Sequence, residues 1–148
     1  MTGVNKFDAD AYEAWLGRTG QLEGARLCNE HEWERAARGA DSRIYPHGYR
    51  LESDDAAFDE TYGRQTGSFG PDMVDEHPIS ESPFGILGMT GSIHEYTVSA
   101  ENANEIIFRG GAWYFDRTTV RLDNRFYGEP NTRDHLTGLR ICASFPSR

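Results

Sequence analysis

Histidine is the side chain in this sequence best able to bind zinc or to transfer protons near neutral pH. The histidines are His31, His47, His77, His94 and His135. No two of them are four residues apart, where one helical face would present both to a metal, and no His-Glu-x-x-His motif occurs. The pattern therefore predicts neither a zinc site nor a zinc hydrolase.

Acidic side chains form clusters within residues 52–55, 59–60 and 72–76. Calcium favours loops rich in oxygen atoms, but none of these clusters has the spacing of a calcium-binding helix–loop–helix, and we interpret them as a solvated acidic face. Residues 85–91, Gly-Ile-Leu-Gly-Met-Thr-Gly, do not match a dinucleotide-binding loop, and no Gly-x-Ser-x-Gly turn occurs. No pair of residues by itself indicates that the protein is an enzyme.

The two cysteines, Cys28 and Cys142, lie near opposite ends of the chain. Two cysteines form neither a disulfide framework nor the spacing of a metal site. The sequence favours two small buried residues, because free cysteine is among the most buried residue types. A long-range disulfide stays open as the alternative.

Length and charge narrow the class of protein. The chain has 148 residues, which corresponds to one domain. Its net charge of −9 repels phosphate backbones, so we expect no nucleic-acid partner. We also expect no membrane insertion, because no apolar run approaches the roughly 18 residues of a spanning helix. The first residues lack the apolar stretch of a signal peptide, and the expected location is the cytoplasm or an assembly at a cell or virion surface.

The first forty residues predict two helices. Asp8 is the expected N-cap of the first helix, and Gly17 and Gly20 end it. Its broad apolar face is expected to comprise Ala11, Tyr12, Ala14, Trp15 and Leu16.

The second helix has the clearer start. Asn29 as N-cap with Glu32 three positions later matches a capping box, and Gly39 marks the C-terminal end. The stripe predicted to be buried comprises Trp33, Ala36 and Ala37.

Irregular sequence follows from residue 40 to residue 91, where Gly, Pro, Asp and Ser recur and hydrophobic periodicity disappears. Long irregular segments in a compact domain are typically functional or held by a constraint. The remaining sequence predicts short strands at 106–109, 112–115 and 138–143. The expected architecture is α+β, with two helices, short antiparallel strands and long loops.

Between residues 114 and 136, aromatic and small polar residues alternate with arginines. Such residues are typical of adaptable binding surfaces, because aromatic side chains bring contact area at a low entropy cost. Ordinary core packing with structural ion pairs stays open as the alternative. The arginines that could pair with the acidic remainder of the chain are Arg117, Arg121, Arg125 and Arg133.

Several sequence blocks, in order, resemble the formylglycine-generating enzyme (sulfatase-modifying factor) family. Residues 26–40, RLCNEHEWERAARGA, resemble the family's R-L-P-T-E-x-E-W-E-x-A-A-R-G segment. Residues 82–97, SPFGILGMTGSIHEYT, resemble N-P-F-G-L-x-D-M-x-G-N-V-W-E-W-T, and residues 108–113, FRGGAW, resemble L-R-G-G-S-W. Weaker blocks lie at 4–16, 45–48, 124–126 and 137–144. The resemblance implies a minimal C-type-lectin-like domain that covers the whole chain.

The resemblance also indicates where the family's oxidase chemistry would lie. That oxidase uses two cysteines after the R-G-G-S-W block, together with copper, and Phe115 and Val120 stand at about those positions here. Neither side chain is a thiol, so the resemblance implies a domain without this activity.

A calcium ion in the family is held by an Asp or Asn side chain, two backbone carbonyls and a Glu. Glu95 matches the Glu, and Gly91 and Ile93 could offer the carbonyls, whereas Gly88 at the first position has no side chain. The resemblance therefore implies at most a weak calcium site, and no other cofactor is expected.

One subgroup with this fold, the variable proteins of diversity-generating retroelements, is most similar in the C-terminal stretch. In that subgroup a stretch that begins near R-G-G-S-W, here 113–140, is rewritten at adenine-containing codons. The resemblance implies a non-enzymatic domain that binds a protein or surface ligand, the alternative being an accessory or catalytic sulfatase-modifying domain. We expect most of the diversified side chains to be exposed on one contiguous face. The implied ligand-binding residues are Tyr114, Phe115, Asp116, Thr119, Val120, Leu122, Phe126, Tyr127, Gly128, Asp134, His135 and Leu136.

Overall fold

The computed structural model describes residues 1–63 and 70–144. In chain order its elements are α1 (Lys6–Arg18), β1 (Ala25–Leu27), α2 (Glu30–Arg38), the short 3-10 helix Pro78–Ser80, β2 (His94–Val98), β3 (Ile106–Arg109), β4 (Phe126–Gly128), β5 (Thr137–Leu139) and β6 (Ile141–Ala143). None of the helices in these ranges is both long enough and apolar enough to cross a membrane. The α+β architecture expected from the sequence is confirmed.

The strands form two small sheets. β1 pairs with β6, and the other strands lie in the order β4-β3-β2-β5. β2 and β5 run parallel, whereas the β2–β3 and β3–β4 pairs are antiparallel. The strand predicted at 138–143 is therefore two strands in different sheets, separated at Arg140.

The start and the buried face of α1 differ from the prediction. Its N-cap is Asn5, because the Asn5 side chain accepts a hydrogen bond from the Asp8 N–H at 3.1 Å, and the Asp8 carboxylate accepts one from the Asn5 N–H at 2.9 Å. Ala9 and Leu16, two turns apart, are the buried residues of the helix. Tyr12 and Trp15 instead stack on each other at the surface, about two-fifths exposed.

Helix α2 confirms the prediction at both ends. The Asn29 side chain accepts hydrogen bonds from the N–H groups of His31 and Glu32, and the Glu32 carboxylate accepts one from the Asn29 N–H. Gly39 ends the helix with a left-handed φ of 71°. On the inner face Trp33 and Ala37 are fully buried, whereas Ala36 is only partly buried.

Buried side chains form three clusters that position the rest of the chain. One packs Ala9 of α1 against Tyr96, Ile106 and Phe108 of the larger sheet. A second surrounds Trp33 of α2. The third gives the irregular region a core of its own, and its members are Tyr45, Leu51, Ala56, Phe58 and Val120.

The segment 112–115 forms a turn, so the predicted strand there is wrong. Gly110 and Gly111 have φ values of 85° and 74°, which direct the chain away from β3 immediately after Arg109. A Cβ on Gly111 would lie 2.6 Å from Val120 Cα, so the close approach of the two segments requires glycine at this position. The Phe115 N–H then donates to the Ala112 carbonyl at 2.9 Å.

Cys28 and Cys142 form a disulfide bond, which overturns the favoured prediction of two unpaired residues. The pairing of β1 with β6 brings the two positions together, with 5.0 Å between their Cα atoms across a sequence separation of 114 residues. The bond fastens the segment before α2 to the C-terminal strand.

Candidate functional site

Two of the residues predicted to contact a ligand belong to the core instead. Leu122 is fully buried beside Trp33, so the expectation that it is solvent-accessible is wrong. Val120 is also fully buried, in the cluster of Tyr45 and Phe58. Both residues lie in turns rather than on a strand, so the alternation that suggested exposure does not apply to them.

The other predicted residues lie at or near the surface. The exposed fractions of Tyr114, Phe126 and Tyr127 are 52%, 39% and 69%. Asp116 and His135 are also exposed. The half-buried residues are Phe115, Thr119, Gly128, Asp134 and Leu136.

Four of these side chains form one continuous aromatic surface, linked through ring contacts to His94 and Trp113. Phe115 and Phe126 contact the His94 ring, with centroid separations of 5.2 and 4.8 Å. The Trp113 ring lies 5.8 Å from Tyr114 and 5.7 Å from His135, and Tyr114 meets Phe115 edge-on at 5.7 Å. We define the aromatic face as Tyr114, Phe115, Phe126 and His135.

His94, at the centre of this surface, was not among the predicted site residues. It is 4% exposed, and neither ring nitrogen forms a well-aligned hydrogen bond with a described residue. Burial lowers the pKa of His94 to about 4, while the Asp134 carboxylate and the Arg109 backbone act in the opposite direction. The imidazole is therefore neutral at physiological pH. The available signal was the sequence block in which His94 stands where the family has tryptophan.

Tyr127 does not belong to the aromatic face, so the predicted single contiguous face is divided. Phe126 pairs with Phe108 in β3, and strand alternation directs Tyr127 to the opposite side of the sheet. There the Arg125 guanidinium lies 5.6 Å from the Tyr127 ring centroid. Gly128 is fixed by packing, because a Cβ at that position would lie 2.2 Å from the Phe108 ring.

Two carboxylates in the segment shape its turns. Asp116 accepts hydrogen bonds from the Thr118 and Thr119 N–H groups and from the Thr119 hydroxyl. Asp134 accepts hydrogen bonds from the Leu136 N–H and the Thr137 hydroxyl, both at 2.8 Å. These contacts hold the loops that carry the exposed rings.

The segment's four arginines pair with acidic residues, as the sequence suggested. The pairs are Arg117–Glu60, Arg121–Asp123, Arg125–Glu30 and Arg133–Asp8. The positive charges of this segment are therefore compensated within the molecule.

Glu95, the residue implied for calcium, binds protein groups instead. Its carboxylate accepts two hydrogen bonds from the Arg140 guanidinium, at 2.7 and 2.8 Å, and one from the Trp33 indole N–H at 2.6 Å. Arg140 also donates to the Leu87 carbonyl at 3.0 Å. With its charge compensated and no side chain at Gly88, this donor set does not fit a calcium ion. No group of three or more metal-ligating side chains occurs in the part of the chain that the structure describes.

A cavity of about 700 Å³ lies beside the Glu95–Arg140 pair. Its wall includes His77, whose Nε2 is 2.6 Å from the Asp72 carboxylate and whose Nδ1 is 2.9 Å from the Asp54 carbonyl. Both ring nitrogens of this histidine therefore contact protein oxygen atoms.

Comparison of the sequence with known protein families identifies a matching family and several relatives. The model of the sulfatase-modifying factor enzyme 1-like domain matches residues 1–145. A hercynine oxygenase of Mycobacterium tuberculosis is 30% identical over 93% of this chain and 35% of its own length. The inactive C-alpha-formylglycine-generating enzyme 2 of Bos taurus is 28% identical over 95% of this chain and 48% of its own length. The chain thus spans between about a third and a half of these relatives.

Solved structures show the same fold. PvdO from Pseudomonas aeruginosa superposes with a TM-score of 0.79 at 22% identity, covering 95% of this chain and 60% of that protein. Treponema denticola variable protein 1 superposes with a TM-score of 0.75 at 18% identity, covering 95% of this chain and 69% of that protein. From the ordered sequence blocks, the two-helix α+β architecture and the match over residues 1–145, we conclude that the chain belongs to the sulfatase-modifying factor family and has its C-type-lectin-like fold.

Proposed function

We propose that this domain binds a protein or surface ligand, without catalysis, through the aromatic face on its C-terminal segment. The observation that carries the proposal is the exposure of Tyr114 and Phe126, at 52% and 39%, over the buried rings of His94 and Trp113. Exposed aromatic side chains that cluster on a packed layer are typical of interaction sites.

The surroundings of the aromatic face support binding by a rigid surface. His94 lies on β2, and Phe126 on β4 packs against Phe108 of β3 with 5.2 Å between the rings. The loop that carries His135 is fastened by the hydrogen bonds that Asp134 accepts. Because strand pairing and these hydrogen bonds hold the elements in place, we expect binding to cost little conformational entropy.

The chemistry of the chain supports a domain without the family's oxidase activity. Phe115 and Val120 stand where thiols are needed, and the disulfide bond uses Cys28 and Cys142. One relative is named as an inactive formylglycine-generating enzyme, whereas another is a hercynine oxygenase of which this chain spans 35%.

We also propose that diversification of the segment is confined to its exposed positions. Val120, Leu122 and Gly128 are fixed by the core and by the Phe108 ring, whereas Tyr114 and Phe126 are 52% and 39% exposed. A reverse transcriptase gene and a near-copy of the 3′ end beside this gene are expected. Their absence from the locus would contradict diversification by this route.

Selection from a random peptide library tests the binding function while the natural ligand is still unidentified. The library is first depleted on a variant that carries Tyr114→Ala, Phe126→Ala and His135→Ala, and is then selected on the wild-type protein. We expect enrichment of peptides that bind the wild type and not the variant. Failure to enrich any such peptide, with a variant that melts like the wild type, would contradict the proposed function.

A further inference from the structure

We infer that the ligand of the aromatic face is a basic segment of a partner protein, with an arginine or lysine side chain against Tyr114 and Phe126, near Asp134. This inference rests on the ligand-binding function proposed above and adds the chemical class of the ligand. Three features carry it: the compensated arginines of the segment, the exposed ring faces, and the carboxylate beside them.

The charge around the aromatic face favours a cationic ligand. Each arginine of the segment is paired with a carboxylate, for example Arg117 with Glu60 and Arg125 with Glu30. The whole chain carries a net charge of −9. A positively charged partner is therefore attracted over long range, and no uncompensated arginine of this segment opposes it at short range.

The exposed rings provide the local contact for such a ligand. Aromatic faces carry negative partial charge and attract a cation that lies within about 6 Å of the ring centroid. The protein already makes this contact internally, with Arg125 5.6 Å from the Tyr127 ring and Arg109 5.3 Å from the Trp33 ring. The Tyr114 and Phe126 side chains are 52% and 39% exposed, so part of each is accessible to a ligand cation.

Asp134 supplies negative charge next to the aromatic face. The His94 backbone N–H donates to the Leu136 carbonyl at 2.7 Å, so the turn that Asp134 holds lies against His94. The Asp134 carboxylate acts to raise the pKa of that ring, against the larger effect of burial. Asp134 accepts hydrogen bonds from Leu136 and Thr137, and within the described ranges no side-chain cation pairs with it. Burial keeps His94 neutral, so the layer beneath the rings does not repel a cation.

A matched pair of peptides tests the inference. One is a short Gly/Ser peptide with two central arginines, and the other carries citrulline at both positions, which keeps the shape and removes the charge. Binding is followed by the amide and ring NMR signals of Tyr114, Phe126 and His135. We expect saturable shifts at these residues and about fivefold weaker binding of the citrulline peptide.

Two variants distinguish binding at the aromatic face from general attraction of the peptide to an acidic protein. Tyr114→Ala is expected to weaken binding of the arginine peptide about fivefold. Tyr12→Ala, which truncates an exposed aromatic residue on α1, is expected to leave its affinity unchanged. Equal binding of both peptides, or equal effects of the two variants, would overturn the inference.

The peptide-library selection distinguishes this inference from the proposed function. If the enriched peptides require the aromatic face and are basic, they support both the inference and the proposed function. If the peptides require the aromatic face but are acidic or uncharged, the inference of a basic ligand is wrong and the proposed binding function is still supported. The absence of face-dependent peptides contradicts both.

Discussion

The His94 imidazole meets the Phe126 ring edge-on, with 4.8 Å between the centroids and 83° between the planes. This contact joins a fully enclosed titratable group to a ring that is 39% exposed. The aromatic face therefore depends on a histidine that remains neutral, and the consequence is measurable as a dependence of stability on pH.

The free energy of unfolding is expected to fall as the pH falls from about 6.5 to about 4. In that range the unfolded chain binds a proton at His94, whose ordinary pKa is 6.5, whereas burial keeps the folded imidazole neutral down to about 4. The unfolded state therefore gains stability on acidification, by on the order of 3 kcal/mol over the full range. Urea unfolding at a series of pH values measures the slope.

His94→Phe is the control for that slope, because it keeps an aromatic ring and removes the titration. Its unfolding free energy is expected to change less than that of the wild type between the two pH values. Parallel curves for the two proteins would show that His94 does not titrate as described.

Truncation of exposed and buried residues in the same segment is expected to have opposite outcomes. Tyr114→Ala and Tyr127→Ala should change the unfolding free energy by about 1 kcal/mol or less, because these side chains are mainly solvated. Leu122→Ala should cost about 2–5 kcal/mol, because it opens a cavity beside Trp33. Chemical denaturation checks the contrast, and a large loss in Tyr114→Ala would place its ring in the core.

Removal of the Cys28–Cys142 disulfide is expected to destabilise the fold strongly. The bond closes a loop with a sequence separation of 114 residues, so it restricts the unfolded chain considerably. The double variant Cys28→Ser with Cys142→Ser should lose about 2–5 kcal/mol. Wild-type protein unfolded in a reducing agent is the matched control and should show the same loss, whereas no effect of either treatment would argue against the bond.

Glu95→Gln is expected to cost about 1–3 kcal/mol, because it leaves the half-buried Arg140 guanidinium without its counter-charge. Glu101→Gln, at an exposed position, is the matched control and should leave the free energy of unfolding unchanged.

Added calcium should not shift the melting temperature of the wild type, since the Glu95 carboxylate is already bonded. A clear rise with calcium would show that the ion replaces the arginine.

No formylglycine should form when a cysteine-containing sulfatase peptide is incubated with this protein, copper and oxygen. Phe115 and Val120 supply no thiol, and Cys28 is 1% exposed and bonded to Cys142. Mass spectrometry of the peptide gives the result. Conversion of its cysteine to an aldehyde, with an authentic formylglycine-generating enzyme as the positive control, would contradict a non-enzymatic domain.

Local spacing in the sequence was sufficient to predict helix α2 and strand β3. The capping box of Asn29 and Glu32 satisfies backbone groups within one turn, and the apolar run 106–108 continues into Arg109 to form a fully buried strand. The same kind of signal misplaced the start of α1, because Asn5 and Asp8 are both good capping residues and form the two halves of one box. The ordered motifs also predicted the family and its fold.

Tertiary structure alone decided which residues of the C-terminal segment are available to a ligand. Val120 and Leu122 have the same apolar character as neighbours that are exposed, and only the approach of Gly111 and Trp33 makes them core. Cys28 pairs with Cys142 because β1 meets β6, a contact that no spacing along the chain encodes. The residue types of the C-terminal segment thus predicted an aromatic binding segment. Contacts between distant segments determined which side of each turn faces solvent.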